Sequence, residues 1–514
     1  MPSAAHRGPL PAFARTIVVG AGLAGLELVD ELARQGGDDI LLIEAGGADD
    51  LRHVNVAHDA RTALRLWLDS RTDPAFTRPW TSLTPPHYGG SSGMRRRLGG
   101  RGLYWYGVTL PIEPWALAEP WWPRAVVRDL TESWRGGPSL YERVGERLHT
   151  WTHRHAPGSA PAPRPPETHV GALHLRPTPM ARRLASDGGW YAYSALDDWR
   201  DPLTGTWRAA PRGVRLLTAT EATHVLVRDG RACGVSVERR DGAPQEIAAE
   251  QVVLCAGTLQ SSGLALQALH DAGADGPVEL HGLADHIVQG VFLRLADEQA
   301  QRLNQVLPTG SYYAPCAPGA RSNLFVDVHG EEPDGSVVVE IRAMGEQLDQ
   351  DSSRVSCTPG ERRPWPLAVR SRPSDADRVL LRSQREAITE CYRQLCGAVG
   401  LKERALDFSD YEDPGRGNDF ALPENLATAR PGEPVTWCNQ LGTEDHEGGT
   451  LPLGGVLDDR HEFRAVPGLY AAGPATFPRL GAANPTLTTL ALAHRLAALL
   501  AERTGSTTRQ NRSR

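Results

Sequence analysis

The chain has 514 residues, 40% of them hydrophobic and 23% charged, which is the balance of a folded globular protein and not of a disordered or fibrous one. A formal net charge of −7 argues against nucleic acid as the main partner, since phosphate binding needs a dense basic surface. No apolar run reaches the roughly 18 residues of a membrane span, and the bias to 54 arginines against one lysine, Lys402, marks the coding sequence rather than a site.

Length alone suggests about three domains. The first 15 residues carry arginines and prolines but no apolar stretch of the signal-peptide kind. The seven cysteines, Cys233, Cys255, Cys316, Cys357, Cys391, Cys396 and Cys438, are scattered, odd in number and without metal-ligand spacing. They read as reduced thiols of a cytoplasmic protein with no metal site.

Residues 16–19 (TIVV) form a short β-rich run. Gly20-Ala21-Gly22-Leu23-Ala24-Gly25 follows, then LELVDELARQGG with apolar residues at helical spacing, then ILLIE ending at Glu44. This is strand, glycine turn, helix and strand in about 30 residues, the context that gives a GxGxxG motif its meaning. Gly20 permits the tight turn, Gly22 lets a pyrophosphate approach the backbone, and Gly25 allows close helix–strand packing. The helix N-terminus faces the phosphates, and Glu44 can accept from ribose hydroxyls, which favours FAD or NAD over NADP. A later strand ends in Val252-Val253-Leu254-Cys255-Ala256-Gly257, a turn common where flavoproteins return the chain to the flavin. No second GxGxxG appears for a nicotinamide nucleotide. FAD is therefore the expected cofactor, and an NADH-using flavin reductase or monooxygenase is the more distant alternative.

Between these motifs, 156–167 (APGSAPAPRPPE) is proline-rich and reads as a connection or loop. Residues 214–254 read as strands with turns, with Ala222 counted among the cofactor contacts. The segment 336–344 is β-like, 377–399 is helical, and Asn484-Pro485-Thr486 opens an Ala/Leu-rich helix.

Three further segments resemble the glucose–methanol–choline (GMC) oxidoreductase family. Arg97-Leu98-Gly99-Gly100-Arg101-Gly102-Leu103-Tyr104-Trp105 is similar to its flavin-contacting LGG loop, and Leu283-Ala284-Asp285-His286 to its LxDH element. The strongest is His446-Glu447-Gly448-Gly449-Thr450, continuing through Val456-Leu457-Asp458 and Gly468-Leu469-Tyr470 to Asn484-Pro485-Thr486. The resemblance is thin over about 290–435.

The resemblance implies an α/β fold. A Rossmann-like FAD-binding domain (14–155, 211–287 and 439–503) is interleaved with an α+β substrate-binding domain, an antiparallel sheet with helices (288–438). Residues 156–210 form an insertion and 504–514 a disordered tail. It implies oxidation of an alcohol to a carbonyl, with hydride passing to flavin N5 and His446 as the base, since an imidazole titrates near working pH. Asn484 hydrogen-bonds the substrate oxygen, caps a helix, or both. Arg97, Gly99, Gly100, Tyr104, Ala256, Gly257, Gly473, Pro474, Asn484, Pro485 and Thr486 join Gly20, Gly22, Gly25 and Glu44 around the cofactor. Tyr104 stands where some members carry a flavin-linked histidine, so FAD is expected to be non-covalent. Gly473 replaces an aspartate found in many members.

The expected substrate is a sugar, glycoside or sugar-like natural product, and the alternative is a tailoring step on a non-sugar secondary metabolite. The acceptor is oxygen, a quinone or another acceptor, and the oligomeric state is open. The bland readings stand beside these. His286 orders a loop beside the flavin domain, and His461 and His494 are structural. Asp445 and Glu447 either tune His446 or lie on the surface. Arg95, Arg96 and Arg97 face the phosphates or solvent. Five tryptophans, Trp105, Trp115, Trp121, Trp122 and Trp134, pack a core or offer a sugar platform.

Overall fold

A computed structural model describes residues 10–512 apart from 241, 274–278, 316–319, 331–333, 349–351, 410 and 412–428, with backbone only from 504 onward. Cys316 lies outside the described residues. The first strand, Phe13–Val19, ends in the apolar run Ile17–Val19 and is buried from Thr16 onward, as a strand covered on both faces must be. It pairs in parallel with Ile40–Ile43 on one side and Gln245–Leu254 on the other. Val214–Leu217 extends the sheet beyond Ile40–Ile43, and Leu469–Ala471 adds a parallel strand beside Val252–Leu254. The antiparallel pair Thr220–Arg228 and Arg231–Arg239 completes seven strands. One sheet is thus gathered from the two ends and the middle of the chain.

Two helices close one side of this sheet, Leu23–Arg34 and the terminal helix that starts at Thr486. They are tied together by ions as well as by packing. Glu27 is fully buried, accepts from the Tyr193 hydroxyl at 2.7 Å and lies 2.6 Å from His494 Nε2, while Arg147 bridges Glu27, Asp30 and Glu31. His494 is therefore structural, and so is His461, whose buried ring stands 3.2 Å from the Ala471 carbonyl oxygen.

The second large sheet is antiparallel, in the order Pro434–Cys438, His286–Leu295, Val337–Glu346, Ser322–Val328, Gly310–Ala314, Leu173–Pro177 and Thr168–Val170. Its strands alternate with period two. Val291, Leu293, Val326, Val328, Val339 and Ile341 pack on the helix Asp375–Val399 through Ile388, Tyr392 and Leu395. That helix is delimited by a Ser374/Asp377 capping box and by Gly400 in the left-handed region. Phe325, Asp327, Glu340, Arg342 and Phe292 occupy the other face.

Three readings change. The strand His286–Leu295 crosses the boundary expected at 287/288. Within the proline-rich 156–167, Ser159–Pro161 is a strand paired with Arg182–Ala185. The buried Arg183 guanidinium, which donates to the Trp151, Thr152, Arg154 and Ser159 carbonyl oxygens, holds it there. The terminal helix runs to Arg512, so the expected tail is helical for most of its length. Propagating a helix already nucleated costs little per residue.

The fingerprint glycines divide in kind. A Cβ on Gly25 would stand 2.0 Å from the Gly20 carbonyl oxygen, whereas one on Gly22 would meet nothing within 4 Å. Gly25→Ala is expected to destabilise the apoprotein by about 1–3 kcal/mol in urea unfolding, the usual cost of overpacking. Gly22→Ala should leave that stability unchanged and lower only the flavin retained on purification.

Candidate active site

The parallel strands end at one edge, and there the chain leaves a cavity of about 920 Å³. This is the place where open α/β sheets bind ligands, and the volume is near the top of the range for small-molecule sites. Gly20, Gly22, Glu44, Gly100, Tyr104, Ala222, Ala256, Gly257, Gly473, Pro474, Asn484, Pro485 and Thr486 all line it, together with His446. Gly22 is the residue before the first helix, which carries no side-chain cap, so its first N–H groups face the cavity unserved. Glu44 accepts from the Ala21 and Gly46 N–H groups at 3.0 and 2.7 Å. Burial pushes its carboxyl up against those hydrogen bonds, which favour the ionised form.

Three expected contacts lie outside the lining. Gly25 serves packing alone. Gly99 turns the loop at φ +91, and Arg97 donates to the Tyr104 hydroxyl at 3.0 Å. Arg95 is buried against Asp73 at 3.1 Å, and Arg96 pairs with Glu221. Each guanidinium of that run thus has a protein partner, and Arg95 and Arg96 still border the cavity.

His446 arrives on a loop held by its neighbours. Ala284 and Gly448 exchange two backbone hydrogen bonds, at 2.8 and 3.1 Å. A Cβ on Gly448 would stand 2.6 Å from the Pro474 carbonyl oxygen, and one on Gly449 would stand 2.2 Å from that of Gly282, which explains the glycine pair after the histidine. His446 Nε2 lies 3.4 Å from Asn484 Nδ2. On the other side its Nδ1 lies 2.8 Å from Nδ1 of His286, whose Nε2 is 3.0 Å from the Gly481 carbonyl oxygen. Burial first, then the electrostatic effect of His286 and of the positive Arg101 and Arg342, holds His446 well below the ordinary imidazole range. Burial likewise lowers His286 to about 4. Arg101 pairs with Asp445 at 3.0 Å and with the buried Glu447 at 2.7 Å, so neither carboxylate is a free surface charge.

The opposite wall is the charged face of the antiparallel sheet: Phe292, Phe325, Asp327, Glu340, Arg342 and Trp437. Arg342 Nη1 bridges Asp327 at 2.8 Å and Glu340 at 2.9 Å. Among the described residues, the buried Asp327 Oδ1, Trp437 Nε1 and Asn484 Oδ1 have no hydrogen-bond partner. Gly290 makes room for the indole, since a Cβ there would stand 2.8 Å from the Trp437 ring. Of the five tryptophans between 105 and 134 only Trp105 reaches the cavity, and Trp67, Trp190 and Trp437 supply its other indoles. Trp122 and Trp134 are buried elsewhere and Trp121 is exposed. Alternating charges at Glu340 and Arg342 in an otherwise apolar strand were the available signal for this wall.

Two family models describing GMC oxidoreductase match the chain, one over residues 205–271 and one over 366–493. Over those two segments the chain is similar to GMC oxidoreductases. FAD is the cofactor of that family. Among curated proteins the chain is similar to C-glycoside 3-oxidase of Arthrobacter globiformis, 27% identical over 343 residues. The match covers 64% of this chain and 60% of that protein, less than two thirds of the relative's length. Pyridoxine 4-oxidase from Mesorbium loti shares the fold at a TM-score of 0.57 and 18% identity, over 94% of this chain and 98% of that one. Formate oxidase of Aspergillus oryzae RIB40, from a structure concerned with FAD modification, does so at 0.62 and 12%, over 97% and 100%. The chain shares the overall fold of these solved structures.

The residues present suit FAD. Gly22 and Gly257 each leave open space where a Cβ would stand, beside the uncapped helix and Glu44. Among the described residues no group of three or more His, Cys, Asp or Glu side chains could hold a metal, and no helix is long and apolar enough to cross a membrane.

Glu444, in the cavity wall, is pushed up to about 7 by burial, against the lowering effect of its Asn439 hydrogen bond. Between its unfolded value near 4.5 and about 7 the folded chain therefore binds more protons than the unfolded one. Apoprotein stability in urea should fall as pH rises through that window, and Glu444→Gln should flatten the slope.

Proposed function

We propose that this chain is an FAD-dependent oxidoreductase that oxidises a CH–OH group of a sugar, glycoside or sugar-like natural product to a carbonyl, with FAD held non-covalently. The observation that carries the reading is the pair His446 Nε2 and Asn484 Nδ2, 3.4 Å apart in the wall of the cavity at the ends of the parallel strands. Bound FAD supplies the two-electron oxidant. His446 Nε2 accepts the hydroxyl proton of the substrate, and Asn484 donates its amide N–H to the substrate oxygen and so orients it. An amide cannot serve as a base, so the proton stays with His446. Burial of the imidazole keeps it neutral and ready to accept.

The opposite wall supports a hydroxyl-rich substrate. Asp327 offers a buried acceptor at Oδ1, Trp437 an unpartnered N–H and Asn484 an unpartnered carbonyl oxygen among the described residues, a mixture matched by hydroxyls, which both donate and accept. Tyr106 and Trp190, half-buried in the lining, add apolar ring surface of the kind that suits the C–H groups of a sugar ring. The Arthrobacter relative, a C-glycoside 3-oxidase, is in keeping with this class. Non-covalent binding is supported at Tyr104, whose phenol is pushed up to about 12 by burial despite the nearby Arg97, and so is not a ready nucleophile.

The purified protein should be yellow and should release FAD into the supernatant on acid precipitation. Anaerobic stopped flow with sugars, glycosides and aliphatic or aryl alcohols should show flavin bleaching fastest with the sugar class. Bleaching by NADH alone would overturn the reading, and reoxidation by air or a quinone identifies the acceptor. His446→Ala should slow flavin reduction by about 10²–10⁴-fold. With wild type, the rate should be level at neutral pH and fall only well below about pH 6.5, because the proton acceptor is the neutral imidazole. Asp327→Asn should raise KM for hydroxyl-rich substrates by roughly tenfold or more, the worth of a hydrogen bond to a charged group, at unchanged flavin content.

A further inference from the structure

His286 and His446 are both buried, with Nδ1 atoms 2.8 Å apart and ring planes crossed at 87°. Two ring nitrogens at that distance share one proton, so one is N–H and the other a lone pair. The remaining nitrogen of His286 settles which. Its Nε2 faces the Gly481 carbonyl oxygen at 3.0 Å, and a carbonyl only accepts. His286 therefore carries its proton on Nε2 and presents a lone pair at Nδ1. His446 must then donate from Nδ1, which leaves the lone pair on Nε2, toward the Asn484 amide at 3.4 Å. Gly481 O, His286, His446 and Asn484 form one directed line of donors and acceptors.

The surroundings hold this line rigidly. Asp285 accepts from the His286 and Gly442 N–H groups at 2.8 and 2.6 Å, fixing the turn that delivers His286. Gly481 N donates to the buried Glu346, which Arg479 clamps at 2.8 Å, fixing the terminal carbonyl. The charged groups around His446 are Arg101 with Asp445 and Glu447, Arg342 with Asp327 and Glu340, and Glu444. None of these provides an acceptor bonded to His446 Nδ1; His286 does.

We propose that His286 is a positioning residue for His446. By accepting from Nδ1–H it selects the tautomer whose Nε2 lone pair meets the substrate hydroxyl, and it keeps that hydrogen bond when Nε2 gains a proton. Many sites place a carboxylate behind a histidine; a neutral imidazole orients the ring without the full charge that would hold it protonated. The role rests on the reading of His446 as the base, but the tautomer does not.

The test uses the FAD-bound protein with 15N-labelled histidine. NMR, with a His446→Gln sample to mark its signals by subtraction, should show His446 protonated at Nδ1 and bare at Nε2. His286→Leu removes the acceptor, and His446 should then populate both tautomers. Flavin reduction should slow about 10–100-fold, the scale of losing such a supporting partner, at unchanged flavin content. His286→Gln, whose amide oxygen can accept from Nδ1–H, should restore the tautomer and most of the rate, and it stands in if the leucine variant does not fold. An Nε2–H tautomer in the wild type, or an unmoved tautomer in His286→Leu, would overturn the proposal. Unchanged reduction in His446→Ala would instead remove the base while leaving the tautomer result intact.

Discussion

Gly20 stands where any side chain would strike the Cys255 carbonyl oxygen, 2.5 Å from a built Cβ. This backbone contact joins the turn after the first strand to the turn after a strand more than 230 residues later, and the cavity depends on it. Both turns must end at the same edge for their helices to aim free N–H groups into one space. Leu469–Ala471 is added beside the later strand, and Ala472, Gly473 and Pro474 then enter the same cavity. The 280–286 and 446–449 loops press together through Gly282, Gly448 and Gly449, so the imidazole is placed by the same close backbone packing that makes the nucleotide site.

The second sheet separates stability from recognition by its pleat. One face is aliphatic and packs on the long helix Asp375–Val399. The other carries Asp327, Glu340 and Arg342 toward the cavity. A change on the cavity face leaves the helix contact untouched, so the wall can be rewritten without disturbing the core. The glycine at position 290 is where the two demands meet. The strand passes under Trp437 so closely that only a bare backbone fits.

Local motifs made half of this site legible in the sequence. The glycine fingerprint, Glu44, His446 and Asn484 are each surrounded by residues whose spacing carries their meaning, and all but Gly25 line the cavity. The rest depends on pairing between distant segments. Period-two alternation puts Glu340 and Arg342 on one face, but which face meets the cavity is decided by strands from 286, 322 and 434. The tryptophans between 105 and 134 looked like a platform because they are close in sequence, yet only Trp105 turns inward. His286 read as a loop residue because its partner is 160 positions away. The proline-rich stretch hid a strand because its hydrogen bonds come from Arg182–Ala185 and its anchor from Arg183.

A wall of carboxylates beside the proposed base His446 creates a conflict that the arginines resolve. Asp327, Glu340, Asp445 and Glu447 offer acceptors for hydroxyls or hold the loops, but bare negative charge near His446 would favour imidazolium and leave no lone pair for a proton. Arg342 clamps the first two and Arg101 the second two. These cations act on His446 in the opposite sense to the carboxylates they hold, and with burial they keep the ring neutral. Buried ion pairs are weak contributors to stability because desolvation offsets their attraction. Their value in the proposed reaction is electrostatic balance at one nitrogen: acceptors enough to grip a polar substrate, and a base still free to take its proton.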